Sequence, residues 1–229
     1  MPGFNGFSKE LPKYFRNLKK NNSKQWFDKH RSEYDEFVMS AARAFVVAMG
    51  ERLRKIAPGV NAVPKINQSL FKINRDVRFA KDKSPYKTNL GIWFWEGSRQ
   101  RMESSGFYFH FEDRSLRLGT GFYMFPKNLM AHYRDAVVDK KLGSELKKAV
   151  KKVSDKGYTV GGRHYKRIPR GYDADHPNAE FLLYNGLHAM KAEKVPEAFY
   201  SDALIEHAFG HYKNMLPLHQ WLLKVMDKK

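Results

Sequence analysis

The sequence predicts an α+β fold: an antiparallel, curved β-sheet packed by a long N-terminal helix and by C-terminal helices. Three observations predict it. Apolar residues recur at helical spacing through the first quarter of the chain. Three aromatic-rich, partly alternating runs then follow one another with short polar links. Helical patterns return afterwards without a regular strand–helix alternation.

Each element has a local reason. Ser8 is placed to cap a short first helix with Leu11, Tyr14, Phe15 and Leu18 on one face, broken at Asn21-Asn22. Ser23 then opens a longer helix on which Phe27, His30, Tyr34, Phe37, Val38, Ala41, Phe45, Met49 and Leu53 recur at spacings of three and four, ended by Pro58-Gly59. Ser69 to Ile73 reads as a short strand. Residues 89–96, 105–112 and 115–124 read as three more, with Asp113-Arg114 as a tight hairpin turn. Pro126 opens a helix to about Val138, and 144–153 form another. A strand is expected from Leu187 to Lys194. A last helix is expected from about Pro196 to Val225, irregular at Gly210 and Pro217.

The chain of 229 residues is read as a single domain, 1–229, with 42% hydrophobic residues for a core. Cysteine is absent, which excludes disulfides, thiol nucleophiles and cysteine metal sites. No signal-peptide pattern and no membrane-spanning run is seen, so a soluble, cytoplasmic protein without membrane insertion is expected. Lys and Arg number 42 against 24 Asp and Glu, a net charge of +18, which draws phosphates and nucleic acid. Residues 139–170 hold eleven basic and three acidic side chains. Such a run is a solvated helix face or a phosphate-facing surface.

The densest charge lies in NRDVRFAKDKSPY, residues 74–86, between apolar runs. Asp76, between Arg75 and Arg78, can accept backbone N–H bonds and a guanidinium bond together, making a structural lock with Phe79 as its apolar anchor and Pro85 fixing the exit. If donors remain spare, Arg75, Arg78, Lys81, Lys83 and Lys87, with Tyr86, form an anion-binding loop over 74–88. Phe71, Arg75-Asp76-x-Arg78-Phe79 and Lys83-Ser84-Pro85-Tyr86 resemble the signature of the domain of unknown function 2461 family. That signature reads Arg, two residues, Arg-Asp-x-Arg-Phe, three residues, Lys, two residues, Tyr. The first arginine is Lys72 here, which keeps the charge but loses the bidentate fork. The N-terminal Asn-Asn-x-x-x-Trp-Phe region and Pro169-Arg170-Gly171-Tyr172-Asp173-x-Asp175-His176-Pro177 extend the resemblance over nearly the whole chain. The family carries no established activity, so the resemblance implies kinship and no particular reaction.

The later block offers Arg170, Asp173, Asp175 and His176 as an acid–base set, or two carboxylates and an imidazole for a metal, with Arg170 as a further anion-binding residue and His176 as a catalytic candidate alongside Asp76. Asp175-His176-Pro177 reads first as a helix start, with Pro at its first position and the preceding side chains capping. His207 and His211 stand one helical turn apart, but HAFGH lacks the Glu of a zinc-protease motif, so no metal site is expected there. His110 is a core histidine if it faces inward and a general base if it faces the rim near Arg75. The glycines of Gly119-x-Gly121 mark a bulge or close packing rather than a phosphate cradle. No Walker loop, dinucleotide fingerprint or nucleophile elbow occurs, so no cofactor is assigned.

Three functions fit these residues. One is a module binding a phosphate-bearing partner such as nucleic acid or nucleotide. Another is an enzyme acting on a phosphorylated or other anionic small molecule. The third is a structural protein whose charged motifs are braces.

Overall fold

The computed structural model describes residues 3–226. The strands are β1 (Val60–Asn61), β2 (Asn89–Glu96), β3 (Gly106–Glu112), β4 (Ser115–Phe122), β5 (Thr159–Arg163) and β6 (Tyr184–Lys194). They form one open antiparallel sheet in the order β1-β2-β3-β4-β6-β5. The helices are α1 (Glu10–Lys20), α2 (Lys24–Lys29), α3 (Arg31–Tyr34), α4 (Ala41–Leu53), α5 (Lys127–Val138), α6 (Lys140–Ser154) and α7 (Leu204–Met226). None of them is long and apolar enough to cross a membrane.

Strands β2, β3 and β4 lie where alternation places them, and Asp113 turns the hairpin between β3 and β4 at φ 53°. In β3 the period of two sends Phe107, Phe109 and Phe111 to one fully buried face and Tyr108 and His110 to the other. The expected strand at Ser69–Ile73 is reduced to bridges. Leu70 pairs with Ile92 and Asn74 with Tyr86, because the chain enters from a turn at Asn67 (φ 63°) and leaves at once into the charged loop. Strand β5, TVGGR, was not expected. Its two glycines hide the alternation, and a register shift falls between Gly161 and Arg163, at Gly162 with φ 121°.

The long helix expected from Ser23 is also corrected. Ser23 does cap it, accepting the Trp26 N–H at 3.3 Å. The helix breaks at His30, whose φ of −110° is not helical, and whose ring stacks on Trp26 at 4.0 Å. Residues Asp35–Ser40 then wind as a π-helix before α4 begins. Six residues of π-winding leave no separate mark on an apolar period of three and four. The C-terminal helix starts later than expected, at Leu204, after a 3-10 turn at Glu197–Tyr200, and runs on through Pro217.

Two compact units can be distinguished. The first comprises Met1–Phe94, Tyr108–Leu118 and Ala192–Gly210; the second comprises Trp95–Phe107, Gly119–Lys191 and His211–Lys229. The first is centred on aromatics: Phe7 stacks on Phe199 at 4.8 Å, Phe111 on Phe199 at 4.9 Å, and Phe45 lies 4.7 Å from Phe109. Each such ring contributes roughly 1.5–3 kcal/mol by leaving water. Helix α1 closes one side with Leu11, Phe15 and Leu18, its Glu10 N–H received by Ser8 Oγ at 3.0 Å.

The second unit packs Phe125 on Tyr133 (4.4 Å) and Phe107 against Tyr212 (5.2 Å), while Trp221 donates its indole N–H to the Leu142 carbonyl. A Cβ on Gly121 would meet the Leu187 carbonyl at 2.3 Å, so the close-packing reading of that glycine holds. Helix α6 is capped by the Asp139 carboxylate. Its lysines at 140, 141, 147, 148, 151 and 152 all face solvent.

Candidate functional site

Residues 73–87 form a loop with a closed neck. The Lys87 N–H donates to the Ile73 carbonyl, the Arg75 N–H donates to the Pro85 carbonyl, and Asn74 bridges Tyr86. This is the geometry of a compact surface loop whose ends meet. Asn22 grips the neck from outside: its amide accepts the Tyr86 N–H at 3.0 Å and donates to the Tyr86 carbonyl at 2.9 Å.

Inside the loop most charge is paired locally. Asp76 accepts Arg78 Nε at 2.9 Å and Nη2 at 2.7 Å and reaches the Arg78 N–H at 3.3 Å, as the spacing suggested. The Arg78 guanidinium holds the Asp76 carboxyl below its ordinary range. Asp76 is therefore a carboxylate at neutral pH and suits a base or an anchor better than an acid. Asp82 repeats the device two residues from Ser84, whose hydroxyl and N–H it accepts, and also pairs with Arg75. The Ser84 hydroxyl first, then its N–H and Arg75, pull Asp82 down to about 2. Sequence reading missed this second lock, although its Asp-x-Ser pattern was in plain view. Lys83 donates to the Val77 carbonyl at 3.0 Å and so serves the loop itself.

The tip differs from expectation. Phe79, expected as an apolar anchor, is 96% exposed, with the Arg78 guanidinium 5.9 Å from its ring. The anchoring is done by hydrogen bonds at the neck, so the ring is left on the outside. Lys81 is exposed beside it and has no carboxylate within 4 Å among the described residues.

Under the loop lies a cleft of about 450 Å3 lined by Phe71, Arg75, Asp76 and Lys87 above, and by Asn89, Gly91, Tyr108 and His110 from β2 and β3. Gly91 makes room: a Cβ there would press on the Phe71 ring at 3.1 Å and the Tyr108 hydroxyl at 3.3 Å. His110 shares this cleft with Arg75, the rim placement on which its role as a base depended. Its Nδ1 lies 2.9 Å from the Tyr108 hydroxyl and its Nε2 3.5 Å from Glu112. Burial lowers its pKa, so the imidazole is neutral at pH 7. Lys87 donates to the Lys72 carbonyl at 3.0 Å and lies 5.7 Å from the Phe71 ring. Tyr86 does not line this cleft; its ring stacks on Phe27 at 4.3 Å.

The remaining candidates lie in the second unit. Arg170 is exposed on a turn. Asp173 accepts the Asp175 N–H at 2.9 Å, and His176 Nδ1 accepts the Asn178 N–H at 3.1 Å. The segment thus braces the start of a 3-10 turn at Ala179–Leu183, and Tyr172 donates its hydroxyl to Asp135 at 2.8 Å. In the first unit, His207 Nε2 sits 2.6 Å from Glu193 of β6, an acid that the local HAFGH pattern cannot reveal.

Comparison with known proteins adds kinship. No curated protein matches the chain. The family model described as "Conserved hypothetical protein (DUF2461)" matches residues 10–221. That match takes in α1, the charged loop, every strand and most of α7, and the chain belongs to this family.

Proposed function

We propose that the 74–88 loop binds a phosphate-bearing partner, with single-stranded nucleic acid as the best fit. The observation that carries this reading is the exposure of Phe79 between Arg78 and Lys81. A loop held together by its own hydrogen bonds has no folding need for an aromatic ring in water. An aromatic platform flanked by cations is what a stacked base and its phosphates require. The net charge of +18 supplies the long-range attraction.

A salt titration tests it, using labelled single- and double-stranded oligonucleotides. Phe79→Ala is expected to weaken single-strand binding by about tenfold, a mid-range stacking contribution. Arg78→Ala with Lys81→Ala is expected to weaken binding and flatten the salt dependence. Equal affinity in wild type and both variants would mean that the charge is only a diffuse field.

The cleft beneath the loop favours a second reading, an enzyme acting on a small anionic substrate. There Arg75 and Lys87 would hold the anion, and neutral His110, hydrogen-bonded to Tyr108, would take a proton. Turnover of a phosphorylated metabolite that is lost in His110→Gln, with oligonucleotide affinity unchanged, would select it.

A further inference from the structure

A second, larger cleft of about 650 Å3 lies in the first unit, between the α2–α3 region and the near side of the charged loop's neck. Four cations line it: Lys24, Arg31, Arg43 and Lys72. Among the described residues, none of them has a carboxylate within 4 Å or a side-chain hydrogen-bond partner. Arg31 only approaches the Phe27 ring, at 5.8 Å. Asp28 and Asp35 also line the cleft, and neither pairs with these cations. Two carboxylates beside four cations, with no ion pair between them, leave the local field positive and the donors open to a guest.

Two backbone irregularities converge on the same place. The π-helix Asp35–Ser40 contributes Asp35 and Met39 to the wall. Such segments gather at functional sites, because the extra residue re-aims side chains at the expense of regular hydrogen bonding. Asn67, held at φ 63° in a left-handed turn that asparagine tolerates, also lines the cleft. The buried rings of Phe27, Tyr34 and Tyr86 form the base of the wall.

We infer that this cleft binds a nucleotide, with its phosphates on the arginines and lysines and its base and sugar on the remaining polar groups. The volume far exceeds that of a phosphate ion and lies in the range of small-molecule sites. Arginine forks match phosphate oxygens. The aspartates are acceptors for a vicinal diol. Asn67 and Asn74 present amides whose side chains bond no described residue, and an amide can both give and take a hydrogen bond on a base edge. This inference is independent of the oligonucleotide reading, since no residue of the exposed tip lines the cleft.

Displacement of a fluorescent trinitrophenyl-ATP by unlabelled ATP, in the full chain without metal, tests the assignment. Saturable binding at one site is expected. Arg31→Gln with Arg43→Gln should weaken it by at least about tenfold, the effect of one lost charge-assisted bond. Phe79→Ala and Arg78→Ala should leave it unchanged. The replaced side chains are exposed, and circular dichroism verifies that the variants stay folded. No saturable binding, an equal loss in the tip variants, or retention in the double variant each overturns the inference. Tripolyphosphate competing as strongly as ATP also overturns it, because base and sugar would then contribute nothing.

Discussion

His219 has no exposed surface, yet it is bonded on both ring nitrogens. Its Nδ1 lies 2.8 Å from the Ser105 hydroxyl and its Nε2 2.7 Å from Glu96. The constellation has the members of a hydrolase triad in a place no substrate enters: Ser105 is 1% exposed. It is a brace for the second unit. His219→Ala deletes both bonds and strands the Ser105 hydroxyl in the interior. The expected cost is ~2–4 kcal/mol, read from urea unfolding, since a buried group without a partner bears its full desolvation penalty. Phe79→Ala, by contrast, should leave the unfolding midpoint unchanged. The two residues mark what sequence can and cannot reveal at this scale. An apolar residue reads as core wherever it lies, so Phe79 was misplaced. His219 and Glu96 are 123 positions apart, and only the fold brings them together.

The charged loop behaves as an element in its own right. Asp82 is the acceptor that ties Ser84 and Arg75 together. Asp82→Ala should therefore open the tip and speed tryptic cleavage after Arg78, Lys81 or Lys83 several-fold, with little change in global unfolding. Acid should act the same way on the native loop. A carboxyl depressed in the folded state stabilises it above its unfolded pKa of 3.8, and that contribution is lost as pH falls toward about 2. Hydrogen exchange at 82–84 should accordingly rise across that window while the aromatic core stays protected. The Asp76–Arg78 half of this element was legible because its partners are two residues apart. The broken helix was not. A period of three and four survives the break at His30, and nothing in the composition of DEFVMS forces π-winding.

Across the whole molecule two histidines, His110 and the half-buried His188, set a pH response. Burial lowers the pKa of His110 and of His188, so both stay neutral where an unfolded imidazole takes up a proton. The unfolded chain binds more protons below about 6.5, and stability falls as pH drops through that value. A lower urea midpoint at pH 5.5 than at pH 7.5 is expected, with a smaller difference in His110→Gln. An identical midpoint at both would contradict the burial of these rings in solution. At this scale the sequence was informative. Runs of alternating aromatics gave the three central strands, and net charge gave the sign of the field. Which face His110 occupies depended on register, and register becomes fixed only when the strands pair.

The neck of the loop closes through main-chain groups, Ile73 with Lys87 and Arg75 with Pro85, while the Arg75–Asp82 pair ties neck to tip and the Asp76–Arg78 pair stays within the tip. The pairs that shape residues 76–83 are thus made within the loop and its neck, not with the sheet below. Such a segment can be altered or exchanged by design while the scaffold stays the same. An engineer can therefore retune what the tip touches, or graft a foreign peptide there, without renegotiating how the protein folds.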